Sequence, residues 1–287
     1  MPFIVFADGS ANLPQSMLEG ITLLPCDYFV DEKPQTYTGN IDDFDAHTYY
    51  EGLRKGQVVK TSLLNVQLFI SHFTPVLEQG LDVVYISMSL NISGTYNAAV
   101  IAAKELMQQY SDRLVHVVDS RGCGFGNGLL AVHAAELSKQ GLELKEAVAI
   151  LEAEVPHICQ YFTVDDLNYL KRTGRVHGVT ARVATVLNIK PILYGNKEGQ
   201  IALCATVRER KKAIEALVKK YKEKKLDIKN QIVCISHGDC VEDANYLSEL
   251  VMSLTPQVSL VICQHEPFSG SHVGPGMLGL FFKGKER

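Results

Sequence analysis

Between Phe3 and Leu144 the chain repeats one figure, a short β-branched apolar run followed by a longer stretch with apolar residues at helical spacing. No other feature restricts the fold as much. Runs that apolar must be covered on both faces, and parallel strands joined by crossover helices achieve this. Strands are expected at 3–7, 59–61, 83–87 and 114–118, with helices over 44–55, 66–79, 95–109 and 129–140 as their coverings. The fold class is therefore α/β: an N-terminal lobe built on a Rossmann-like parallel sheet with helices on both faces. Residues 21–37, punctuated by Pro25, Asp31 and Pro34, read as a small antiparallel excursion. After Pro156 the rhythm changes to short strands near 158–163, 190–194, 200–206, 232–237 and 258–263, with two helices at 211–222 and 241–253. Gly195-Asn196-Lys197-Glu198-Gly199 is a hairpin signal, so the C-terminal lobe reads as α+β with a mixed or antiparallel sheet. A chain of 287 residues exceeds the usual span of one core, and the division falls into an N-terminal lobe over 1–158 and a C-terminal lobe over 159–287.

Charge and cysteine usage remove several function classes. A net charge of -4 lacks the basic excess that a phosphate backbone requires, so nucleic acid is not an expected partner. The seven cysteines are odd in number and form no C-x-x-C pair, which points to reduced thiols rather than a zinc clip. The opening Met-Pro-Phe-Ile-Val-Phe-Ala-Asp carries no basic leader and no apolar run approaches the roughly 18 residues of a membrane span, so a cytoplasmic location is expected. The glycines from Gly122 to Gly128 miss the dinucleotide fingerprint in both registers, at Asn127 and at Leu129. Close packing of helix on strand accounts for them better. Neither a phosphate-binding G-x-x-x-x-G-K-[ST] loop nor a G-x-S-x-G elbow occurs.

The candidate binding residues are hydroxyls at strand ends. Ser93, Gly94 and Thr95 stand between an expected strand and an alanine-rich helix, where helix N–H groups favour an anion and where a plain N-cap is the alternative reading. Thr61 and Ser62 follow Val58-Val59-Lys60 and are expected on the same rim of the parallel sheet as Ser93. His272 lies within Ser269-Gly270-Ser271-His272-Val273-Gly274-Pro275-Gly276, which reads as a flexible glycine turn in reach of a carboxylate. Leu170-Lys171-Arg172-Thr173-Gly174-Arg175 places cations around a turn, and Arg208 with Arg210 forms a second cationic spot. Asp8 and Asp119 end expected strands, and without a third ligand at fixed spacing they make no metal site.

In this order the segments resemble the DegV family, which includes the FakB-type fatty-acid-binding subunit of bacterial fatty acid kinase. The resemblance rests on Asp8-Gly9-Ser10-Ala11-Asn12-Leu13, Thr61-Ser62, Ser93-Gly94-Thr95-Tyr96-Asn97, Val118-Asp119-Ser120, Tyr169 to Arg175, Asn188-Ile189-Lys190-Pro191-Ile192-Leu193 and His272-Val273-Gly274-Pro275-Gly276. It implies a single DegV-like unit of two lobes with a buried acyl tunnel. A long-chain fatty acid such as palmitate, stearate or oleate would be held by its carboxylate at Thr61, Ser62, Ser93, Gly94, Thr95 and His272. Arg172, Arg175 and Arg208 would serve the phosphoryl group or docking of a DAK-type fatty acid kinase subunit. The implied role is a carrier without catalytic residues, cofactor or metal, in transient contact with a membrane. The alternative is a small-molecule kinase or hydrolase using Asp8, Asp119 or His272. The chain departs from the family pattern at Ala7-Asp8-Gly9, where Thr-Asp-Ser is usual, and at Leu64-Asn65, where Pro-Ser is frequent.

Overall fold

The computed structural model describes residues 2–177 and 189–287. The chain packs into two compact units, Met1–Asp43 with Lys60–Val155 and Phe44–Val59 with Pro156–Arg287. The last change between units falls at Val155–Pro156. The segment Phe44–Val59, however, leaves the N-terminal half of the sequence to join the second unit, which a contiguous division does not foresee.

The first unit is built on a parallel sheet in the order β2 (Ile21–Leu24), β1 (Phe3–Asp8), β6 (Asp82–Ser87), β7 (Val115–Asp119). Strand β1 is central and almost wholly buried, so it carries an unbroken apolar run rather than an alternating one. The helices of this unit are α2 (Val66–Glu78), α3 (Thr95–Gln109), α4 (Phe125–Lys139) and α5 (Leu144–Glu154). Phe69 and Phe73 of α2 pack on Phe6 and Tyr85 of the sheet, with the rings of Phe69 and Tyr85 4.9 Å apart and those of Phe6 and Phe73 4.8 Å apart. Helix α4 comes closest to the turn after β1. A Cβ on Gly128 would stand 2.4 Å from the Ala11 carbonyl oxygen, so this glycine serves the close packing of α4 on that turn.

Two elements depart from expectation. The strand at 59–61, β5 (Val59–Thr61), lies in a small sheet with β3 (Cys26–Val30) and β4 (Lys33–Tyr37), ordered β4, β3, β5, and not in the parallel sheet. Its place there is taken by β2. The physical reason is visible in Val59-Lys60-Thr61: a strand with an exposed lysine at its middle cannot sit in a sheet buried on both faces, whereas Ile21–Leu24 can line its edge. The helix expected over 44–55 as a covering of the parallel sheet forms as α1 (Ala46–Arg54), but it belongs to the second unit.

The second unit holds a mixed sheet, which among the described residues has seven strands in the order β13 (Ser259–Gln264), β12 (Ile232–His237), β14 (Leu278–Lys283), β8 (Ile158–Thr163), β10 (Ile189–Gly195), β11 (Ile201–Arg208), β9 (Val176–His177). Strands β12 and β13 run parallel, and β14, β8 and β10 pair antiparallel. The hairpin between β10 and β11 is closed by Asn196 N–H donating to the Gln200 carbonyl at 2.9 Å, as the glycine-bounded loop predicts. Helices α7 (Arg210–Lys224) and α8 (Val241–Leu254) pack on a core that includes Ile214, Leu217, Tyr221, Leu247 and Phe282. Two further helices of the unit are α6 (Asn168–Thr173) and α9 (Pro267–Val273), and β14 lies near the centre of the sheet. Of the Asn188 to Leu193 motif, Asn188 lies outside the described residues. No helix among the described residues is long and apolar enough to cross a membrane.

Candidate functional site

In the first unit the loop that follows Thr61 and Ser62 runs up to the start of α3, by another route than the sequence suggests. Thr61 ends β5 in the small sheet, and the chain after it turns so that Ser62 N–H donates to the Asp27 carbonyl at 3.2 Å. Two residues on, Leu64 N–H donates to Thr95 Oγ1 at 3.3 Å. This loop therefore abuts the start of α3, where a Cβ on Gly94 would stand 3.1 Å from a Leu63 methyl. Asn65, where the family often has serine, caps α2 by accepting from Leu68 N–H at 2.9 Å.

Ser93 and Thr95 form a pair at the N-terminus of α3, their hydroxyl oxygens 3.0 Å apart. Ser93 Oγ accepts from Thr95 N–H at 3.2 Å, so the capping alternative is realised in part. One hydrogen bond between two hydroxyls uses one of their two protons. The other is left to donate outward, beside a helix end that favours negative charge. Thr95 is buried and Ser93 half-buried, so an acceptor arriving here is partly withdrawn from water.

The second unit holds the cationic candidates and His272. That histidine is not in a flexible turn: it sits in the last turn of α9, half-buried, because Pro267 starts a helix and Gly274, at φ +76°, ends it. Burial, with Arg175 and Arg172 adding like charge, pushes its imidazole down to about 4, so it is neutral near pH 7. Arg172 likewise lies in a helix, α6, with its guanidinium 5.0 Å from the Tyr169 ring centre, and Gly174 in the left-handed region ends that helix before Arg175. A cavity of about 480 Å³ opens beside α6, lined by Asp166, Asn168, Tyr169, Lys171 and Arg172. Arg208 ends β11 and is exposed. Its neighbour Arg210 is committed to acids, with Nε 2.7 Å from Asp243.

The two aspartates have structural work. Asp8 is only 1% exposed, accepts from Ser10 N–H at 2.8 Å and from the Tyr85 hydroxyl, and is pushed up by burial. Asp119 accepts from Arg121 N–H at 3.0 Å and Leu90 N–H at 3.3 Å, tying two turns together. Among the described residues no group of three or more His, Cys, Asp or Glu is placed to hold a metal ion. Gly9, where the family usually has serine, has its reason here: a Cβ there would stand 2.6 Å from the Tyr37 ring. Sequence reasoning missed the tyrosines of α1, whose hydroxyls donate to the Pro267 and His265 carbonyls at 2.8 and 2.9 Å. It also missed the acid that caps α9, Glu266, although an acid immediately before a proline was a readable helix start.

A family model described as "Uncharacterised protein, DegV family" matches residues 2–285. A DegV domain-containing protein of Clostridium perfringens is 34% identical over 283 residues, covering 98% of this chain and 97% of its own length. Among solved structures, DegV of Bacillus subtilis, described as a fatty acid binding protein, aligns with a TM-score of 0.84 at 27% identity, over 99% of this chain and 100% of that one. A stearic acid-binding protein from Eubacterium ventriosum aligns with a TM-score of 0.85 at 25% identity, over 99% of this chain and 98% of that one.

Proposed function

Because the chain belongs to the DegV family, we propose that it binds a long-chain fatty acid, such as palmitate, stearate or oleate, and presents it to a DAK-type fatty acid kinase subunit for acyl-phosphate formation. The proposed carboxylate ligands are Thr61, Ser62, Ser93, Gly94, Thr95 and His272, with the tail sequestered in an apolar tunnel. The observation that carries the reading is the Ser93–Thr95 pair, which keeps one hydroxyl proton for an outside acceptor at the positive end of α3. A carboxylate supplies that acceptor. The fatty acids bound by the relatives described above support the choice of ligand. Affinity comes from the tail at about 0.8 kcal/mol per buried methylene, so the head needs only a few donors to fix orientation.

His272, neutral at physiological pH, donates one N–H to the same carboxylate. Arg172, Arg175 and Arg208 are assigned to the phosphoryl group or to docking of the kinase. On this reading the protein is a carrier and not a catalyst, working in the cytoplasm with transient membrane contact and without cofactor. Denaturing extraction of the purified protein and mass spectrometry test it: a stoichiometric long-chain fatty acid is expected. Ser93→Ala combined with Thr95→Val should lose most of that lipid while the fold is retained. An empty wild-type protein that also refuses added palmitate, or a double variant with undiminished lipid, overturns the reading. Calorimetry with ATP and Mg²⁺ should show no binding to this chain alone.

A further inference from the structure

A chain of buried polar groups runs beneath α9. Ser236 Oγ lies 3.0 Å from His265 Nδ1, and Ser269 Oγ lies 2.9 Å from His265 Nε2. Ser269 donates its hydroxyl to Glu266, which also accepts Ser269 N–H at 2.9 Å and Phe268 N–H. The direction of every proton follows from donor counting. The Ser269 hydroxyl proton points to Glu266, whose oxygens also take two backbone N–H groups. Ser269 Oγ must then accept from His265 Nε2–H, which leaves Nδ1 to accept from Ser236. His265 is buried, and burial pushes it down to about 3, in keeping with a neutral ring that has one donor and one acceptor. The whole chain is polarised toward a carboxylate that is 0% exposed.

A buried carboxylate is costly unless it is fully hydrogen-bonded, and this one accepts the N–H groups at the start of α9. What needs fixing is α9. Seven residues with a glycine at 270 and another just past the end, at 274, do not hold a helix on their own, so its direction must come from its cap and its surroundings. Glu266 ties down the N–H groups of the first turn, and the Tyr50 hydroxyl stands 2.5 Å from where a Cβ on Gly270 would be. Ser269 and His272 are three residues apart and share a face of α9.

We propose that the buried chain Ser236, His265, Ser269 and Glu266 is the positioning device for His272, fixing the direction in which that imidazole meets an acyl carboxylate. The inference rests on the proposal that His272 reads the fatty acid head group. The test measures palmitate affinity by displacement of a fluorescent fatty acid, and the ring resonances of His272 by NMR, in Glu266→Gln, Glu266→Asp, His272→Gln and the double variant Glu266→Gln with His272→Gln. Glu266→Gln is expected to weaken palmitate by about tenfold, the equivalent of one charge-assisted hydrogen bond, and to shift the His272 resonances. Glu266→Asp, a good cap, should restore both. The double variant should bind no worse than His272→Gln alone, because a positioning residue acts only through what it positions. Unchanged affinity and resonances in Glu266→Gln, or a full additional loss in the double variant, overturn the proposal. If His272→Gln binds palmitate like wild type, the head-group reading of His272 fails instead, and unchanged resonances in Glu266→Gln still decide against positioning. Should Glu266→Gln not fold, Ser236→Ala removes the far end of the chain, and it must shift the same resonances or the proposal falls.

Discussion

His272 and His265 are both held neutral, by burial above all, at about 4 and about 3 respectively. Their unfolded forms take a proton near pH 6.5, well before the folded forms do. Stability from this source is therefore complete above that pH and is lost as pH falls from 6.5 toward 4. Each ring contributes a slope of up to about 1.4 kcal/mol per pH unit. Asp8 acts in the opposite sense, since its raised value lets the folded state take up a proton first. Urea unfolding of wild type and His272→Gln at pH 7, 6 and 5 separates these effects. The variant should lose about one proton of slope, and parallel pH profiles would show that the imidazole is not held as described. Single residues also mark where sequence reading succeeds. Ser93 and Thr95 are legible as hydroxyls at a helix start, where Ser93 does accept from a backbone N–H, whereas Gly9 becomes legible only with Tyr37 packed against it.

At the level of elements, the long and strongly periodic segments were readable and the short ones were not. Helix α3 spans the expected 95–109, and the hairpin of β10 and β11 stands where its glycines put it. Strand β5 was assigned to the wrong sheet because three residues with a central lysine carry little information on which neighbour they pair with. Helix α9 reads as a turn in the sequence because three of the eight residues from Ser269 to Gly276 are glycines, and the capping acid that defines it lies before a proline. The packing of α4 gives a direct check. Gly128→Ala gains helix propensity but drives a methyl into the Ala11 carbonyl, so a net loss of about 1–2 kcal/mol is expected from denaturant midpoints. A stabilised variant would mean that α4 and the turn after β1 are not in close contact.

Across the whole molecule, α1 is the element that ties sequence order to architecture. Arg54 donates to the Asp239 carbonyl at 3.0 Å as well as to its carboxylate, and His47 Nδ1 lies 3.2 Å from the same side chain. Tyr49 and Tyr50 reach the carbonyls on either side of Glu266. A fragment of residues 156–287 expressed alone should consequently be poorly folded by circular dichroism, and a synthetic peptide of residues 44–59 supplied in trans should recover helix and strand content. A fragment that folds fully without the peptide would show α1 to be dispensable.

Placing Phe44–Val59 in the second unit means the polypeptide changes allegiance three times. During synthesis α1 leaves the ribosome long before any strand it packs beside, and the earlier unit is split around it. Neither half can be inherited, duplicated or recombined as a continuous stretch of gene, so evolution has to keep or discard this architecture whole.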